Sequence, residues 1–279
     1  MCIRDSYSLV GEPDGEHYRI AVKRQDDGRG GSLAMWRLAA GDRLVVSAPQ
    51  NHFPLDTRAP DYLLVAGGIG ITPMVMMAQR LAARGAPVRM IYSARSAAEL
   101  AFAEELKPVL GDRLGLHAGD RGEHADLAAA IDGLADGGLL YTCGPVPMLD
   151  AIKLAWSRAG RPQQDLRFET FGSGGSHAAQ EFAVHVPRHG LQITVPVGSS
   201  LLETLEHHGI EAVSDCRRGE CGLCTLDVLS LDGEIDHRDV FLSDEEKHSN
   251  TRICACVSRV VGSITLDTSY RPDTLPTHA

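Results

Sequence analysis

The chain has 279 residues, room for two or three compact domains at roughly 100–200 residues each, and is 43% hydrophobic, 23% charged and 5% aromatic. This balance excludes a disordered or collagen-like chain; no stretch approaches about 18 consecutive apolar residues, and charges interrupt Met1–Val10 where a signal peptide needs an apolar core, so a cytoplasmic protein is expected. Of the net charge of -10, most lies in residues 176–279, which hold 8 Lys and Arg against 16 Asp and Glu, so nucleic acid and membrane are poor partners and a basic protein patch is a better one; a solvated acidic face is the plainer account.

In chain order, Tyr18–Lys23 and Arg43–Ser47 read as strands on either side of a glycine-rich loop at Gly28–Ser32, a β-rich block that Pro54, Asp56 and Pro60 close. From Tyr62 to Phe168 an apolar strand followed by helical periodicity recurs: Leu63–Ala66 then Met74–Arg84, Val88–Ser93 then Ala97–Leu110, Leu139–Thr142 then Pro147–Ala159. Such alternation predicts a parallel α/β domain. Gly172–Ser176 (GSGGS) has the composition of a flexible linker. Beyond it come strands at Phe182–Val186, Gln192–Val195 and Ser263–Asp267 and an amphipathic helix at Leu201–His208.

Five of the seven cysteines fall within residues 216–256, a clustering that points to metal rather than to disulfides. Cys216-x4-Cys221-x2-Cys224, with 29 residues before Cys254, is the plant-type 2Fe-2S spacing. Gly219 and Gly222 permit positive φ and let amide N–H groups point at negatively charged sulfur. Structural zinc also takes four cysteines, but zinc sites more often pair two close doublets, whereas here the fourth cysteine stands alone. Cys256 reads as a packed thiol. This region resembles the plant-type ferredoxin fold, which implies Cys216, Cys221, Cys224 and Cys254 as ligands of a one-electron carrier.

Val65–Pro73 (VAGGIGITP) follows an apolar strand and opens a helix, so Gly67, Gly68 and Gly70 suit close approach to a pyrophosphate, Thr72 an N-cap and Pro73 the first helical turn. A tight strand-to-helix turn without ligand is the alternative. Cys143-Gly144-Pro145 ends the last strand of the block, at the edge where open α/β sheets bind ligands. Together the two runs resemble the pyridine-nucleotide domain of the ferredoxin–NADP reductase family, in which the position of Cys143 lies beside the nicotinamide; the resemblance implies a catalytic role for it. Arg95, just after the second strand, stands where a 2′-phosphate could be met, and no acid ends that strand.

Because NADH delivers two electrons as hydride and a 2Fe-2S cluster accepts one, the first block is expected to hold a flavin. Tyr7-Ser8-Leu9 resembles the end of the flavin motif of this superfamily, with Ser8 beside the reacting ring, and Arg29-Gly30-Gly31-Ser32 resembles the phosphate loop of its FMN branch. Read alone, that loop is a short hydrophilic turn. Val22 lies on the strand expected against the flavin. The order of parts, with the ferredoxin last, resembles the phthalate dioxygenase reductase and vanillate demethylase reductase family. The resemblance implies FMN, NADH and a Rieske-type oxygenase as acceptor, with Arg167–Phe171 as a domain junction. A non-Rieske hydroxylase, a general NADH:acceptor activity, or a non-enzymatic electron carrier are the alternatives.

The expected architecture is multidomain: a partial β-barrel flavin domain at 1–58, an α/β parallel-sheet nucleotide-binding domain at 59–171, a linker at 172–178, and an α+β ferredoxin-like (β-grasp) 2Fe-2S domain at 179–279. The flavin barrel of this family takes about a hundred residues, so the expectation is an incomplete one, with Met1–Ser6 as a non-native lead-in and no flavin role for Arg4.

Overall fold

The computed structural model describes residues 6–12, 14–26, 30–171, 175–177 and 179–268. The chain divides into two units after residue 171.

In the first unit a short helix, α1 (Gly31–Trp36), precedes the strands β1 (Tyr62–Gly67), β2 (Val88–Ala94), β3 (Leu114–Ala118), β4 (Leu139–Cys143) and β5 (Leu166–Glu169). These strands form one all-parallel sheet in the order β3-β2-β1-β4-β5. Every residue of β1 and β4 is buried, as required of central strands covered on both faces. Tyr62, Leu64 and Ala66 point to one side, against α2 (Ile71–Ala83) and α3 (Ala103–Leu110); Leu63 and Val65 point to the other, against α4 (Leu127–Asp132) and α5 (Val146–Arg158). The predicted helix over Ala97–Leu110 is broken: a 3-10 turn spans Ala97–Glu99, and Phe102, at φ 64, starts α3 from the left-handed region. β5 was not expected, because Leu166–Glu169 overlaps the segment read as a domain junction; its backbone pairs with β4 and so belongs to the sheet.

Residues 6–58, expected as an incomplete barrel, show little strand pairing among the described residues. Among the described residues there, the only β pairing is an isolated antiparallel bridge, Leu9 with Ile20. Apart from that bridge, Tyr18–Lys23 and Arg43–Ser47 have strand composition without strand partners among the described residues, and Val45 is fully exposed. A strand exists only when its N–H and C=O groups find another backbone. Val10 is buried in the α/β core, and the Tyr141 hydroxyl donates to the Pro54 carbonyl at 3.3 Å and accepts from the Asp56 amide at 2.8 Å. Exposed ion pairs, Glu12–Arg80, Arg19–Glu105 and Lys23–Glu99, join this segment to helices and loops of the sheet domain.

The second unit has β6 (Phe182–Val186), β7 (Leu191–Val195), α6 (Leu201–His207), β8 (Thr225–Asp236), α7 (Asp244–Ser249), β9 (Arg252–Cys254) and β10 (Arg259–Asp267). Its mixed sheet runs β7-β6-β10-β8-β9, with β6 and β10 parallel and the other pairs antiparallel, and the α6 residues Leu201, Leu202 and Leu205 fill its core. This is the expected β-grasp arrangement. Ser200 and Glu203 form a capping box on α6, which fixes where the helix begins. The linker expected to be flexible is seated at Ser176 and His177: the Ser176 amide donates to Asp236 at 2.7 Å, and Arg238, paired with Asp236, donates to the His177 carbonyl at 3.1 Å. Residues 172–174 and 178 of that linker lie outside the described residues. Among the described residues no helix is long and apolar enough to cross a membrane.

Candidate nucleotide and iron–sulfur sites

Strand order reverses at β1 and β4, the switch point where open parallel sheets bind ligands at their carboxyl edge. The pairing of Ala66 with Cys143 sets the two motif loops side by side there. A Cβ on Gly70 would stand 2.2 Å from the Cys143 carbonyl oxygen, one on Gly67 would stand 2.6 Å from Pro145 Cδ, and one on Gly144 would stand 2.3 Å from Met148 Cε. These three glycines let the loops pack against each other. Gly68 is different: at φ 54, with nothing within 4 Å of its Cβ direction, it leaves the loop surface open to a ligand.

Gly68–Gly70 forms a 3-10 turn leading directly into α2, whose N-cap is Gly70. The expected N-cap, Thr72, instead lies inside the first turn, buried, with its hydroxyl donating to the Ile69 carbonyl at 3.0 Å. Local hydrogen bonding of this kind satisfies the hydroxyl while leaving the helix amides free. Pro73 is in the first turn, where a missing N–H costs nothing. Cys143 is 1% exposed at the end of β4. Arg95 is exposed one residue past β2, its carbonyl accepting the Asp120 amide at 2.9 Å. A cleft of about 650 Å³ lies elsewhere, lined by residues 52–58 with Tyr141 and 166–168, and includes none of the motif residues.

The residues expected at a flavin are partly gathered. The Leu9–Ile20 bridge is flanked by a Val10 amide donating to Arg19 at 2.8 Å, and continuing its antiparallel register sets Tyr7 opposite Val22. Gly30, at φ 94, caps α1; Gly31 is buried as its first residue. Ser32 is tied to Gln25, accepting from its amide at 3.0 Å and donating to its carbonyl at 3.3 Å. The expected loop is thus the start of a helix that Trp36 pins by donating to the Val22 carbonyl at 3.0 Å. Ser8 is half-buried, and Arg29 lies outside the described residues.

In the second unit the cysteine loop, residues 216–224, is wound tightly. Gly219 (φ 77) and Gly222 (φ 73) are left-handed, and Arg217 joins them at φ 53, held by an ion pair to Glu206 of α6. This winding turns backbone amides toward sulfur: Arg218 and Cys221 donate to Cys216 at 3.4 Å each, and Leu223 and Cys216 donate to Cys221. The sulfurs fall into two pairs. Cys216 and Cys221 hydrogen-bond to each other, while Cys224 accepts from both Cys254 and Cys256. Those two donors hold the Cys224 thiol down to about 3 and are themselves pushed up by the bonds and by burial. Burial raises Cys221.

A 2Fe-2S core needs two thiolates on each iron, and amide donors that stabilise charged sulfur tune its potential. The donor set, its pairing and the inward amides fit the two-iron group.

Sequence reasoning read Cys256 as packing alone, yet its sulfur contacts Cys224 and accepts the Gly219 amide. Cys254, in β9 opposite Thr225, has its sulfur 3.6 Å from the Thr225 hydroxyl and no exposure. Recurrence of cysteine two residues past the expected ligand was the available signal.

A parallel sheet with glycine loops at its switch point, joined in one chain to a β-grasp unit with a four-thiolate cradle, defines an electron-transfer oxidoreductase. Residues 64–115 match the oxidoreductase NAD-binding domain model and residues 184–261 the 2Fe-2S iron–sulfur cluster binding domain model. Among curated proteins, the chain is 40% identical over 263 residues to a heme-dependent oxidative N-demethylase beta subunit of Ectopseudomonas mendocina, covering 93% of this chain and 82% of that one. It is 37% identical over 265 residues to phthalate dioxygenase reductase of Burkholderia cepacia, covering 92% and 80%. A solved structure of phthalate dioxygenase reductase, described as a modular structure for electron transfer from pyridine nucleotides to [2Fe-2S], matches with TM-score 0.76 and 36% identity over 94% of this chain and 83% of that one. The chain belongs to the phthalate dioxygenase reductase family.

Proposed function

We propose that this oxidoreductase takes hydride from NADH at the β1–β4 switch point and delivers electrons one at a time, through the 2Fe-2S cluster, to a Rieske-type oxygenase. The observation that carries this reading is the conjunction, in one chain, of the switch-point loops with the four-thiolate cradle. Gly68, and the α2 amides that Thr72 leaves free, suit the pyrophosphate, with Gly67, Gly70, Pro73, Gly144 and Pro145 shaping the cleft. Cys143 lies at the nicotinamide end. FMN is the implied intermediary, held by Tyr7, Ser8, Val22 and Arg29–Ser32. When bound, FMN accepts the hydride pair and releases electrons singly. The reading predicts NADH-dependent reduction of cytochrome c or of an oxygenase by the chain supplied with FMN; a chain that takes no electrons from NADH with FMN present overturns it.

The exposed Arg95 bears on the donor. NADH is expected to be preferred, and a clear NADPH preference that Arg95→Ala relieves would reverse that assignment.

For the fourth thiolate, Cys216, Cys221 and Cys224 are the first three ligands, and the Gly219 amide aimed at Cys256 favours that sulfur over Cys254. Cys256→Ser should abolish the visible 2Fe-2S absorption of reconstituted protein, whereas Cys254→Ser should retain most of it; the opposite pattern restores Cys254.

A second acceptor reading has one observation behind it, since a relative of 40% identity is the subunit of a heme-dependent demethylase. Mixing the reduced protein with a Rieske oxygenase and with a heme-dependent oxidative demethylase separates the two. The acidic final third would dock a basic partner face, so inter-protein transfer should slow as salt shortens the Debye length to about 3 Å at 1 M, while reduction of the internal cluster stays constant.

A further inference from the structure

Asp239 takes no part in the ligand set, yet it touches both halves of the sulfur cradle. It is 3% exposed. Its Oδ2 accepts the Leu242 amide at 2.8 Å and its Oδ1 the Ser258 hydroxyl at 3.1 Å, with His237 Nδ1 3.6 Å away. Lys247 donates to its backbone carbonyl at 2.8 Å. Burial pushes this carboxyl up, but the His237, Leu242, Lys247 and Ser258 partners outweigh burial and keep it below its ordinary value.

On one side, the backbone of Asp239 lies against the cysteine loop. A Cβ on Gly219 would stand 2.9 Å from Asp239 Cα, and the Val240 amide donates to the Gly219 carbonyl at 3.0 Å. On the other side, Ser258 belongs to the turn that carries Cys254 and Cys256, its amide donating to the Cys254 carbonyl at 3.0 Å. The Ser258 hydroxyl also accepts the Arg238 amide at 3.1 Å, so the turn is held at two adjacent residues of one segment. Loop and turn supply different sulfurs, and the Asp239–Ser258 bond joins them.

We propose that Asp239 is a positioning residue of the iron–sulfur site, locking the 216–224 loop to the 254–258 turn and holding the cluster's reduction potential down by its fixed negative charge. Adding an electron beside a buried carboxylate is opposed by Coulomb repulsion that water screens poorly. Lys247 carries the opposite charge against the same residue and therefore acts in the opposite direction. The inference rests on the iron–sulfur reading of the cradle.

The full chain, reconstituted with iron and sulfide, is titrated to its midpoint potential and challenged with an iron chelator. Failure of the unaltered chain to form a 2Fe-2S spectrum overturns the iron–sulfur reading and the proposal with it. Given that spectrum, Asp239→Asn is expected to raise the potential and Lys247→Met to lower it. Ser258→Ala, which keeps both charges and removes the bond between loop and turn, is expected to release iron several-fold faster at nearly unchanged potential. It also serves if Asp239→Asn cannot retain its cluster. A merely structural role would leave the potentials of loaded variants alike. Potentials of Asp239→Asn and Lys247→Met that match the unaltered chain or move in the same direction, or Ser258→Ala that holds iron as well as the unaltered chain, overturn the proposal.

Discussion

The nucleotide loops and the cysteine loop are both built from glycines, but they use them for different ends. At the switch point, Gly67, Gly70 and Gly144 bring one loop onto another, leaving Gly68 alone facing open space. In the cysteine loop, left-handed Gly219 and Gly222 turn amides toward sulfur, and each is also pressed by a neighbour, Asp239 or the Phe241 ring, 2.3 Å from where a Gly222 Cβ would be. The first site is fixed by a sheet whose register locks two strand ends together. The second depends on a loop and a turn separated by the long β8 strand, and its parts are held by side-chain bonds.

The largest effect that would sharpen this contrast is at Gly70. Gly70→Ala sets a methyl against the backbone of Cys143, which cannot swing aside as a side chain would; a loss of about 1–3 kcal/mol of stability is expected, with weakened NADH binding. Gly68→Ala meets no protein atom, so its stability cost is only that of the left-handed backbone, about 1–2 kcal/mol, but its methyl faces the surface proposed for the pyrophosphate, so the larger loss of NADH binding is expected here. Thermal unfolding and NADH titration of both variants check the ranking, and equal destabilisation with equal loss of binding would break the distinction drawn between them.

A smaller effect probes the second unit. Ser200→Ala removes one arm of the capping box that starts α6, the helix whose Glu206 pairs with Arg217 of the cysteine loop. The expected cost is about 1 kcal/mol, read as a lower unfolding midpoint in urea, with faster cluster loss if α6 supports the loop as the ion pair implies.

Smallest is the effect of acid on residues 6–58. Arg80 holds the Glu12 carboxyl, and Arg19 the Glu105 carboxyl, below the ordinary value of 4.5. Depressed carboxyls contribute stability above their unfolded value, and that contribution is lost as pH falls through the folded one. Proteolysis of this segment should therefore be flat from pH 7 to 5 and rise below about 4.5. The pairs are exposed and each is worth little, so Arg80→Ala should shift the profile only slightly. A steep rise near pH 6 would point to another group.

Much of the sheet domain was legible because its strands are short apolar runs and its helices carry a clear apolar stripe. Strands β1, β2 and β4 and helices α2 and α5 fall within a few residues of their predicted limits. β3 and β5 escaped notice as partly exposed edge strands, and α7 because it is a polar six-residue helix whose signal is its Ser243–Glu246 capping box. β8 escaped too: its middle is exposed, and Gly233 in it passes Gly262 of β10 so closely that a Cβ would stand 1.9 Å from the Val261 carbonyl. Strand composition over residues 18–23 and 43–47 misled in the opposite direction, since pairing depends on partners that composition does not describe.

By itself the sequence determined the order of parts, the parallel α/β alternation, the two nucleotide motifs and the cysteine-rich loop, because each is written in contiguous residues whose local chemistry is strong. Only the tertiary structure decided that three of the glycines serve packing between loops, that Thr72 lies within the helix it was expected to cap, and that Ser176 and His177 are bound to the Asp236–Arg238 pair. It also placed a second buried sulfur, Cys256, beside Cys224. Spacing counts residues along the chain, while ligands meet across it. With β8, α7 and β9 folded between Cys224 and Cys256, the path those elements take sets which thiol arrives at the cradle.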